Sequence, residues 1–261
     1  MPRLIAQCSS PENISFRYAK GSGYSSGKEF HIYHEIILFF GGNAEFIAEN
    51  LHISPKPSML IVIPKETYHQ MVIHGNQENY ERCLLQFGDH PELMPLAEQC
   101  LHEVQVLEAD REITSLFNKL IQTSKSGNPN APLVLKSVLI LLLDLLSAKA
   151  DIPDEENHQN EIVHRAIEYI NQNLHRPLPV HDIAQTCNIS ESTLCHTFKR
   201  EMYIPVHKFI LKKRLILAYQ KISAGEAATA TALECGFGDY SGFYKQYKKA
   251  FGFPPSQKNN K

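Results

Sequence analysis

The chain has 261 residues, 43% of them hydrophobic, which is enough for two ordinary cores, and its 26 Lys and Arg against 28 Asp and Glu give a net charge of −2. We expect neither a signal peptide nor a membrane span, because no apolar stretch is long enough to cross a bilayer and the first residues lack a signal pattern. Six cysteines without a CxxC pair exclude a disulfide framework and a zinc site and predict free thiols in a reducing cytoplasm.

Short strands separated by turns are predicted in the N-terminal part of the chain. β-Branched and aromatic residues dominate these segments, and Gly41-Gly42-Asn43 forms a turn between the first two. Strands at this spacing indicate a small β-barrel or sandwich. The predicted strands are 31–40, 44–48, 50–54, 59–64, 70–73 and 80–87.

Three amphipathic helices are predicted next, at 91–102, 111–124 and 132–148. The third carries two neighbouring apolar stripes, which is more than one packing partner needs. We therefore expect one stripe to pack on the barrel and the other to form a homodimer interface, although both can also be buried within one chain. The residues assigned to the dimer interface are Leu135, Leu139, Leu142 and Leu146.

The charge balance divides the chain into two parts joined by an acidic linker at 151–160. Residues 161–261 contain 14 Lys and Arg against eight Asp and Glu, a net charge of +6, and the remaining 12 against 20 give −8. A basic module attached to an acidic partner domain is typical of nucleic-acid binding. We predict a sensor and dimerisation region at 1–150 and a DNA-binding domain at 161–261.

Two helix-turn-helix patterns lie in tandem in the basic part. Each has a short helix, a turn and a second helix that begins at a residue suited to cap it, Ser190 in the first pattern and Asp239 in the second. The turns contain Asn188 and Gly236. Such a tandem predicts two helices that read DNA major grooves. The apolar residues follow each cap at the same offsets, at Leu194 and Phe198 and at Phe243 and Tyr247.

Residues 161–257 resemble the DNA-binding domain of the AraC/XylS family of bacterial transcription regulators. The family's domain implies two helix-turn-helix units held by a long linker helix, here from about Pro205, at its first helical position, to about Ser223. The residues that carry the resemblance are Ala184, Ser190, Leu194, Phe198-Lys199, Pro205, Arg214-Leu215, Ala218, Cys235-Gly236-Phe237, Asp239, Ser241, Phe243, Lys248-Lys249, Phe251-Gly252 and Pro255-Ser256.

Alignment to the family at the two cap residues implies which side chains face DNA. In the first recognition helix, Ser192, Cys195 and His196 are assigned to base edges, with Thr193, Lys199 and Arg200 near phosphates. In the second, Tyr240, Ser241, Tyr244 and Lys245 are assigned to base edges, with Lys248 and Lys249 near phosphates.

Three positions depart from the family pattern. Ala228 and Thr231 stand where a bulky aliphatic residue is usual, which predicts a looser second unit. Tyr203 stands where glycine is usual after the first recognition helix, so we expect that turn to differ or to be strained.

The N-terminal strands are similar to the cupin-like sensor domain of many AraC-family members, over about residues 10–90. The resemblance implies a pocket for a small-molecule effector inside an otherwise apolar barrel. Our candidates for its polar lining are His34, Glu35, His69 and Glu81. The resemblance rests on His31-x-x-His34-Glu35, the Gly41-Gly42 turn, an apolar strand ending at Ile63-Pro64, and Thr67-Tyr68-His69.

A metal site is the alternative use of these histidines. Metal-binding cupins present two histidines at i and i+2, which share one face of a strand, whereas His31 and His34 point to opposite faces of a regular strand. We therefore predict no metal ion and no cofactor. A metal site and a purely structural role of the histidines remain alternatives to an effector pocket.

The sequence thus predicts an α+β protein, with a cupin-like barrel and flanking helices followed by an all-α DNA-binding domain. The predicted function is that of a cytoplasmic, ligand-responsive transcription regulator without catalytic activity. Its expected partners are double-stranded DNA, an unknown small-molecule effector, a second copy of the chain and, if it activates transcription, RNA polymerase, but no membrane. The alternatives are a metal-dependent cupin enzyme fused to a DNA-binding domain and an effector-free regulator controlled by its abundance.

Overall fold

The described residues of the computed structural model are 3–21, 32–49, 51–75, 79–149 and 160–256. The chain divides into two compact units, Met1–His158 and Gln159–Lys261. His31 and all of the predicted acidic linker except Asn160 lie outside the described residues.

Nine strands among the described residues of the first unit form two antiparallel sheets. They are β1 (Arg3–Ser9), β2 (Ser15–Lys20), β3 (His34–Gly41), β4 (Ala44–Ala48), β5 (Leu51–Ile53), β6 (Met59–Ile63), β7 (His69–Ile73), β8 (Glu81–Phe87) and β9 (Gln105–Glu108). The larger sheet has the order β1-β2-β8-β3-β6-β9, and the smaller has the order β5-β4-β7. Each strand thus pairs antiparallel with its neighbours in one of the two sheets.

Strand β3 explains why the alternation of its side chains is invisible in the sequence. Ile36 and Leu38 belong to a core that includes residues of the helices of this unit, whereas Ile37 and Phe39 belong to a second core with residues of the smaller sheet. Because both faces of the strand are covered, both carry apolar side chains. A strand whose sequence shows no alternation therefore has its two faces in two different cores.

The α+β class is confirmed, but the described strands form two open sheets and no closed barrel. Strands β1 and β9 lie at the two ends of the larger sheet, and each pairs with one neighbour among the described strands. Strands β1 and β2 were not predicted from the sequence, and residues 105–108 were predicted only as a connection between two helices. The sheet region extends beyond the predicted limits of 10 and 90 in both directions.

The described part of the first unit also has three helices, α1 (Met94–Cys100), α2 (Arg111–Lys125) and α3 (Ala131–Ser147). Asp110 caps α2 by accepting a hydrogen bond from the Ile113 N–H at 2.9 Å. Helix α3 packs against α1, α2 and β1. These contacts close the larger core of the unit.

The predicted dimer interface on α3 is wrong. Its four leucines have no exposed surface, because they pack into the core beneath the larger sheet. The apolar side chains that α3 does expose are Leu133, Ile140 and Leu141, on another face of the helix. The residues assigned to the dimer interface, Leu135, Leu139, Leu142 and Leu146, are therefore core residues of the first unit.

Membrane insertion of α3 was not expected, although it is 17 residues long and rich in leucine. Lys136 and Asp144 interrupt its apolar sequence. Within the described part of the chain, no helix has both the length and the hydropathy that crossing a membrane requires.

The second unit is helical. Its described helices are α4 (Glu161–Gln172), α5 (Val180–Thr186), α6 (Glu191–Met202), α7 (Val206–Ser223), α8 (Ala228–Glu234) and α9 (Tyr240–Phe251). Helices α4, α5 and α6 pack on one another, and α7 packs on α6, α8 and α9. Pro205 has extended backbone angles and is the N-cap of α7, so the helix begins one residue later than predicted.

Candidate nucleic-acid interface

Each helix-turn-helix unit has a turn closed by the same backbone hydrogen bond. In the first unit, the Ile189 N–H donates to the Ala184 carbonyl at 3.1 Å. In the second, the Phe237 N–H donates to the Ala232 carbonyl at 3.0 Å. The donor and acceptor positions of the two units differ by the same 48 residues, so the two turns are equivalent up to this point.

A left-handed residue precedes each of these donors. Asn188 has φ 57° and Gly236 has φ 77°, a region that asparagine and glycine tolerate best. The second turn then contains one additional residue, Gly238, before the recognition helix begins. The two units are therefore alike in their scaffold helices and differ in how the chain enters the recognition helix.

Side-chain caps begin both recognition helices, α6 and α9. The Ser190 hydroxyl accepts from the Thr193 N–H at 3.1 Å, and the Asp239 carboxylate accepts from the Gly242 N–H at 2.7 Å. The Ser190 and Thr193 hydroxyls are also 2.8 Å apart. Thr193 is thus part of the cap in the free protein, while it stays exposed.

The buried face of each recognition helix is the one predicted. Leu194 and Phe198 are fully buried in α6, as are Phe243 and Tyr247 in α9. The remaining faces carry the side chains assigned to DNA. Ser192, Thr193, Cys195, His196, Lys199 and Arg200 are exposed on α6, as are Ser241, Lys245, Lys248 and Lys249 on α9, whereas Tyr240 and Tyr244 are half-buried.

Ring contacts account for the partial burial of the two tyrosines. The Tyr240 ring lies 5.8 Å from that of Phe243 and 6.3 Å from that of Tyr244, centroid to centroid. These contacts limit the conformations of the tyrosines before any partner arrives. Exposed Gln246, which sequence analysis did not select, lies beside Lys245 on the same helix. Its amide is one of the groups that pair with adenine in major grooves, which was a usable signal.

The cations assigned to phosphates lie in the last turns of both recognition helices. Lys199 and Arg200 occupy the last turn of α6, and Lys248 and Lys249 occupy that of α9. In this place they also stabilise the negative end of the helix dipole. Arg200 is paired with the neighbouring Glu201 at 2.8 Å, so a phosphate must compete with that carboxylate.

The turn after the first recognition helix is strained as expected. Tyr203 has φ 51° and ψ 16°, the same left-handed conformation that Gly252 adopts after the second recognition helix. Of the two outcomes expected for this turn, a different conformation or strain, the second is found, because tyrosine takes the backbone conformation of glycine. A residue with a Cβ pays about 1–2 kcal/mol in this region.

Helix α8 has small side chains at its core position. Thr231 is fully buried, and its hydroxyl has no hydrogen-bond partner among the described residues. The equivalent residue of the first unit, 48 positions earlier, is fully buried Ile183. Ala228 is half-buried. The second unit therefore carries an unsatisfied polar group where the first carries an aliphatic side chain.

A buried polar cluster lies between the two sheets of the first unit. Glu35 has no exposed surface, and its carboxylate contacts His69 Nε2 at 3.1 Å and accepts from the Gln86 amide. His69 Nδ1 lies 3.1 Å from the Thr67 carbonyl. Because a carbonyl only accepts, Nδ1 carries a hydrogen, and the Nε2 contact with Glu35 needs a second proton on one of the two groups.

The other two effector candidates lie on the opposite face of the larger sheet. His34 stacks on Phe87 at 5.1 Å, and its Nδ1 accepts from the Lys65 N–H at 3.1 Å. Glu81 accepts from the Tyr18 hydroxyl and pairs with Lys20 at 2.8 Å. The prediction that all four residues line one pocket is therefore wrong, because neighbouring residues of a strand face opposite sides.

Long-range register explains why Gln86 was missed. It lies on β8 directly opposite Glu35 of β3, 51 residues away in the chain. A lone glutamine among apolar residues of a strand was the signal available in the sequence. No group of three or more His, Cys, Asp or Glu side chains is placed to hold a metal ion in the described ranges, which leave out His31.

Comparisons with known proteins agree with the helix-turn-helix geometry. Residues 183–261 match a family described as a helix-turn-helix domain. Over 228 residues, 87% of this chain and 89% of the relative, the chain is 24% identical to the probable transcriptional regulator LumQ of Photobacterium leiognathi.

Two solved structures are also similar to this chain. Apo ToxT from Vibrio cholerae is 12% identical, with 95% of this chain and 97% of that chain covered and a TM-score of 0.43. A probable AraC family transcriptional regulator from Rhodopseudomonas palustris is 29% identical, with 37% and 93% covered and a TM-score of 0.35. Both TM-scores are below 0.5, so neither structure supports a conclusion about this chain.

Proposed function

We propose that this chain, which belongs to the AraC family of transcription regulators, binds double-stranded DNA by placing α6 and α9 in successive major grooves. The observation that carries the proposal is the repetition of one unit. Two capped helices bury the same offsets and leave a polar, cationic face exposed. One copy of the chain would then span about one helical turn of DNA, roughly 34 Å, between groove centres.

The side chains on these two helix faces divide by chemistry into readers, which contact base edges, and anchors, which contact phosphates. Hydroxyl, thiol, imidazole and amine groups in the first two turns of each helix suit base edges, and the cations of the last turns suit phosphates. On α6 the proposed readers are Ser192, Cys195 and His196, and the anchors are Thr193, Lys199 and Arg200. On α9 the proposed readers are Tyr240, Ser241, Tyr244 and Lys245, and the anchors are Lys248 and Lys249.

Footprinting of the full-length protein tests this proposal. The probe is a duplex enriched from a randomised library by rounds of binding to the wild-type protein. We expect protection of about 15–20 base pairs per copy, in two segments about one turn apart. Protection of one major groove only would contradict the proposal that α9 reads DNA.

We also propose that the first unit responds to a small polar molecule through Glu35 and His69. The support is a buried carboxylate and imidazole, joined by a half-buried amide, in an otherwise apolar interior between two sheets. Groups of this kind fix the orientation of a ligand inside apolar surroundings. His34 and Glu81 face away from this cluster and would contribute to a separate site or to stability alone.

Thermal unfolding with a panel of small acids, amides and sugars tests the effector proposal. We expect one compound class to raise the transition temperature of the wild-type protein and not that of Glu35→Gln. Glu81→Gln is the matched control, because it removes a carboxylate on the other face of the sheet and should keep the response. A protein that responds to no class, and that copurifies with stoichiometric metal, would instead favour the enzyme alternative.

A homodimer and a cytoplasmic location complete the proposal, with RNA polymerase as a partner if the protein activates transcription. Leu141 and Leu142 are neighbours on α3. Leu141 is exposed and Leu142 is buried, so substitutions at the two positions distinguish a dimer interface from the core. Leu142→Glu should lower the free energy of unfolding by several kcal/mol, because it buries a charge. Leu141→Glu should fold normally and, if this face forms the dimer, sediment as a monomer. A folded Leu141→Glu dimer would move the interface elsewhere.

A further inference from the structure

The Arg214 guanidinium on α7 joins three elements of the DNA-binding unit. Its Nε donates to the Leu174 carbonyl at 3.0 Å and its Nη2 to the Arg176 carbonyl at 2.6 Å, both in the segment between α4 and α5. Its Nη1 donates to the Gly236 carbonyl at 2.9 Å, in the turn of the second helix-turn-helix unit. One side chain of the linker helix therefore holds both the segment that leads into the first helix-turn-helix unit and the turn of the second.

The chemistry of this contact favours a fixed geometry. All three acceptors are neutral carbonyls, and burial lowers the pKa of Arg214 below its ordinary value. The planar guanidinium presents its donors as a rigid fork, so three acceptors at set positions hold it in one orientation. Lysine carries a single flexible ammonium and does not reproduce this arrangement.

The same contact leaves no room for a side chain at Gly236. A Cβ on this residue would lie 2.8 Å from Arg214 Cζ, from Arg214 Nη2 and from the Leu174 carbonyl. Its equivalent in the first unit, Asn188, has a similar left-handed backbone and carries a side chain. The left-handed conformation alone therefore does not require glycine here, whereas the close approach of Arg214 does.

We propose that Arg214 is a positioning residue that sets the distance and rotation between the two recognition helices, and thereby the spacing of the two DNA segments that the protein reads. Helix α7 packs on α6 on one side and on α8 and α9 on the other. Arg214 adds the link from that helix to the α4–α5 segment and to the second turn. The inference rests on the proposed binding of two successive grooves.

The test uses the full chain and the duplex selected from the random library, together with duplexes in which one base pair is inserted or deleted between the two protected segments. The wild-type protein should discriminate against altered spacing. Arg214→Lys should bind the selected duplex about tenfold more weakly. The second recognition helix is then held less accurately over its groove, so its effective concentration there falls. The variant's preference for the original spacing should fall in the same proportion, while its affinity for a duplex with only the first segment stays unchanged.

Gly236→Ala provides a second test through a different residue, with Gly225→Ala as its control. Both glycines have positive φ, but a Cβ on Gly225 meets nothing within 4 Å. Gly236→Ala should lose spacing discrimination and Gly225→Ala should keep it. Arg214→Lys protein that retains the wild-type spacing preference, or that weakens on one-segment and two-segment duplexes alike, would overturn the proposal. Failure of the wild-type protein to select a two-segment duplex would instead contradict the proposed function.

Discussion

The two helix-turn-helix units have the same backbone arrangement, but their destabilising features lie at opposite ends. The first unit has a well-filled scaffold helix, with Ile183 in its core, and a strained end at Tyr203. The second has in its scaffold the Thr231 hydroxyl, which finds no partner in the part of the chain that the structure describes, and it has a relaxed end at Gly252. Equivalent folds therefore distribute stability differently, and each difference can be reversed by one substitution.

The largest effect is expected when the core residue of the second scaffold helix, α8, is copied into the first scaffold helix, α5. Ile183→Thr removes buried methyl surface and leaves a hydroxyl unpaired, so the first unit should lose about 2–4 kcal/mol. Hydrogen exchange of the α5 and α6 amides measures this unit alone. Gln185→Thr is the control, because it introduces the same residue at an exposed position of α5 and should change stability by about 0.5 kcal/mol or less. An equal effect of both variants would contradict the packing argument.

The next largest effect concerns base recognition. The second recognition helix has a long cationic side chain, Lys245, at a position assigned to base edges, and the first recognition helix has none at such a position. Lys245→Ala should cost about 1–3 kcal/mol of binding to the selected duplex and reduce discrimination at one base pair, because lysine pairs with guanine O6 and N7. Lys249→Ala should weaken all sequences alike and lower the salt slope by about one unit. Competition with single-base variants of the duplex separates the two. Equal losses at every base for Lys245→Ala would make it a phosphate contact.

Thr231→Val should strengthen the second unit. It keeps the shape of the side chain and removes the buried hydroxyl, so we expect a gain of about 1 kcal/mol. Exchange rates of the α8 and α9 amides report on the change. Thr229→Val, at an exposed position of the same helix, controls for the β-branched substitution and should have little effect. No gain at Thr231 would mean that the hydroxyl has a partner in solution, such as a bound water.

An effect no larger than this one is expected at the ends of the recognition helices. Gly252→Ala should destabilise the second unit by about 1 kcal/mol, because alanine is unfavourable at positive φ and the Cβ meets no neighbour. Tyr203→Gly should relieve the corresponding strain in the first unit, by less, because the tyrosine side chain also makes contacts. The same exchange experiment compares the two variants. Changes of equal sign would refute the equivalence of the two ends.

Local chemistry explains what the sequence predicted well. The caps at Ser190 and Asp239, the buried offsets after them and the glycine turn each depend on residues within one or two helical turns. Such signals survive without knowledge of the rest of the fold. The caps and the buried positions of the helix-turn-helix units were therefore predictable from local chemistry, whereas the strain at Tyr203 was expected from the resemblance to the AraC/XylS family.

Features that depend on distant partners were not predictable in the same way. The side that Glu35 faces depends on which layer covers each face of β3, and both faces are apolar. The leucines of α3 form two stripes, and only packing decides which one is covered. Arg214 binds backbone carbonyls, which have no sequence signature, so a single sequence gives no indication of its three partners.

The extra residue in the second turn, Gly238, limits how the two units can be exchanged. The chain passes from Cys187 to Ser190 in three steps but from Cys235 to Asp239 in four. A hybrid regulator made by transplanting the first recognition helix into the second position must therefore include the turn, or its reading face will be rotated and shifted. Engineers who recombine such modules should cut before the cysteine of each unit, where the two scaffolds are still in register.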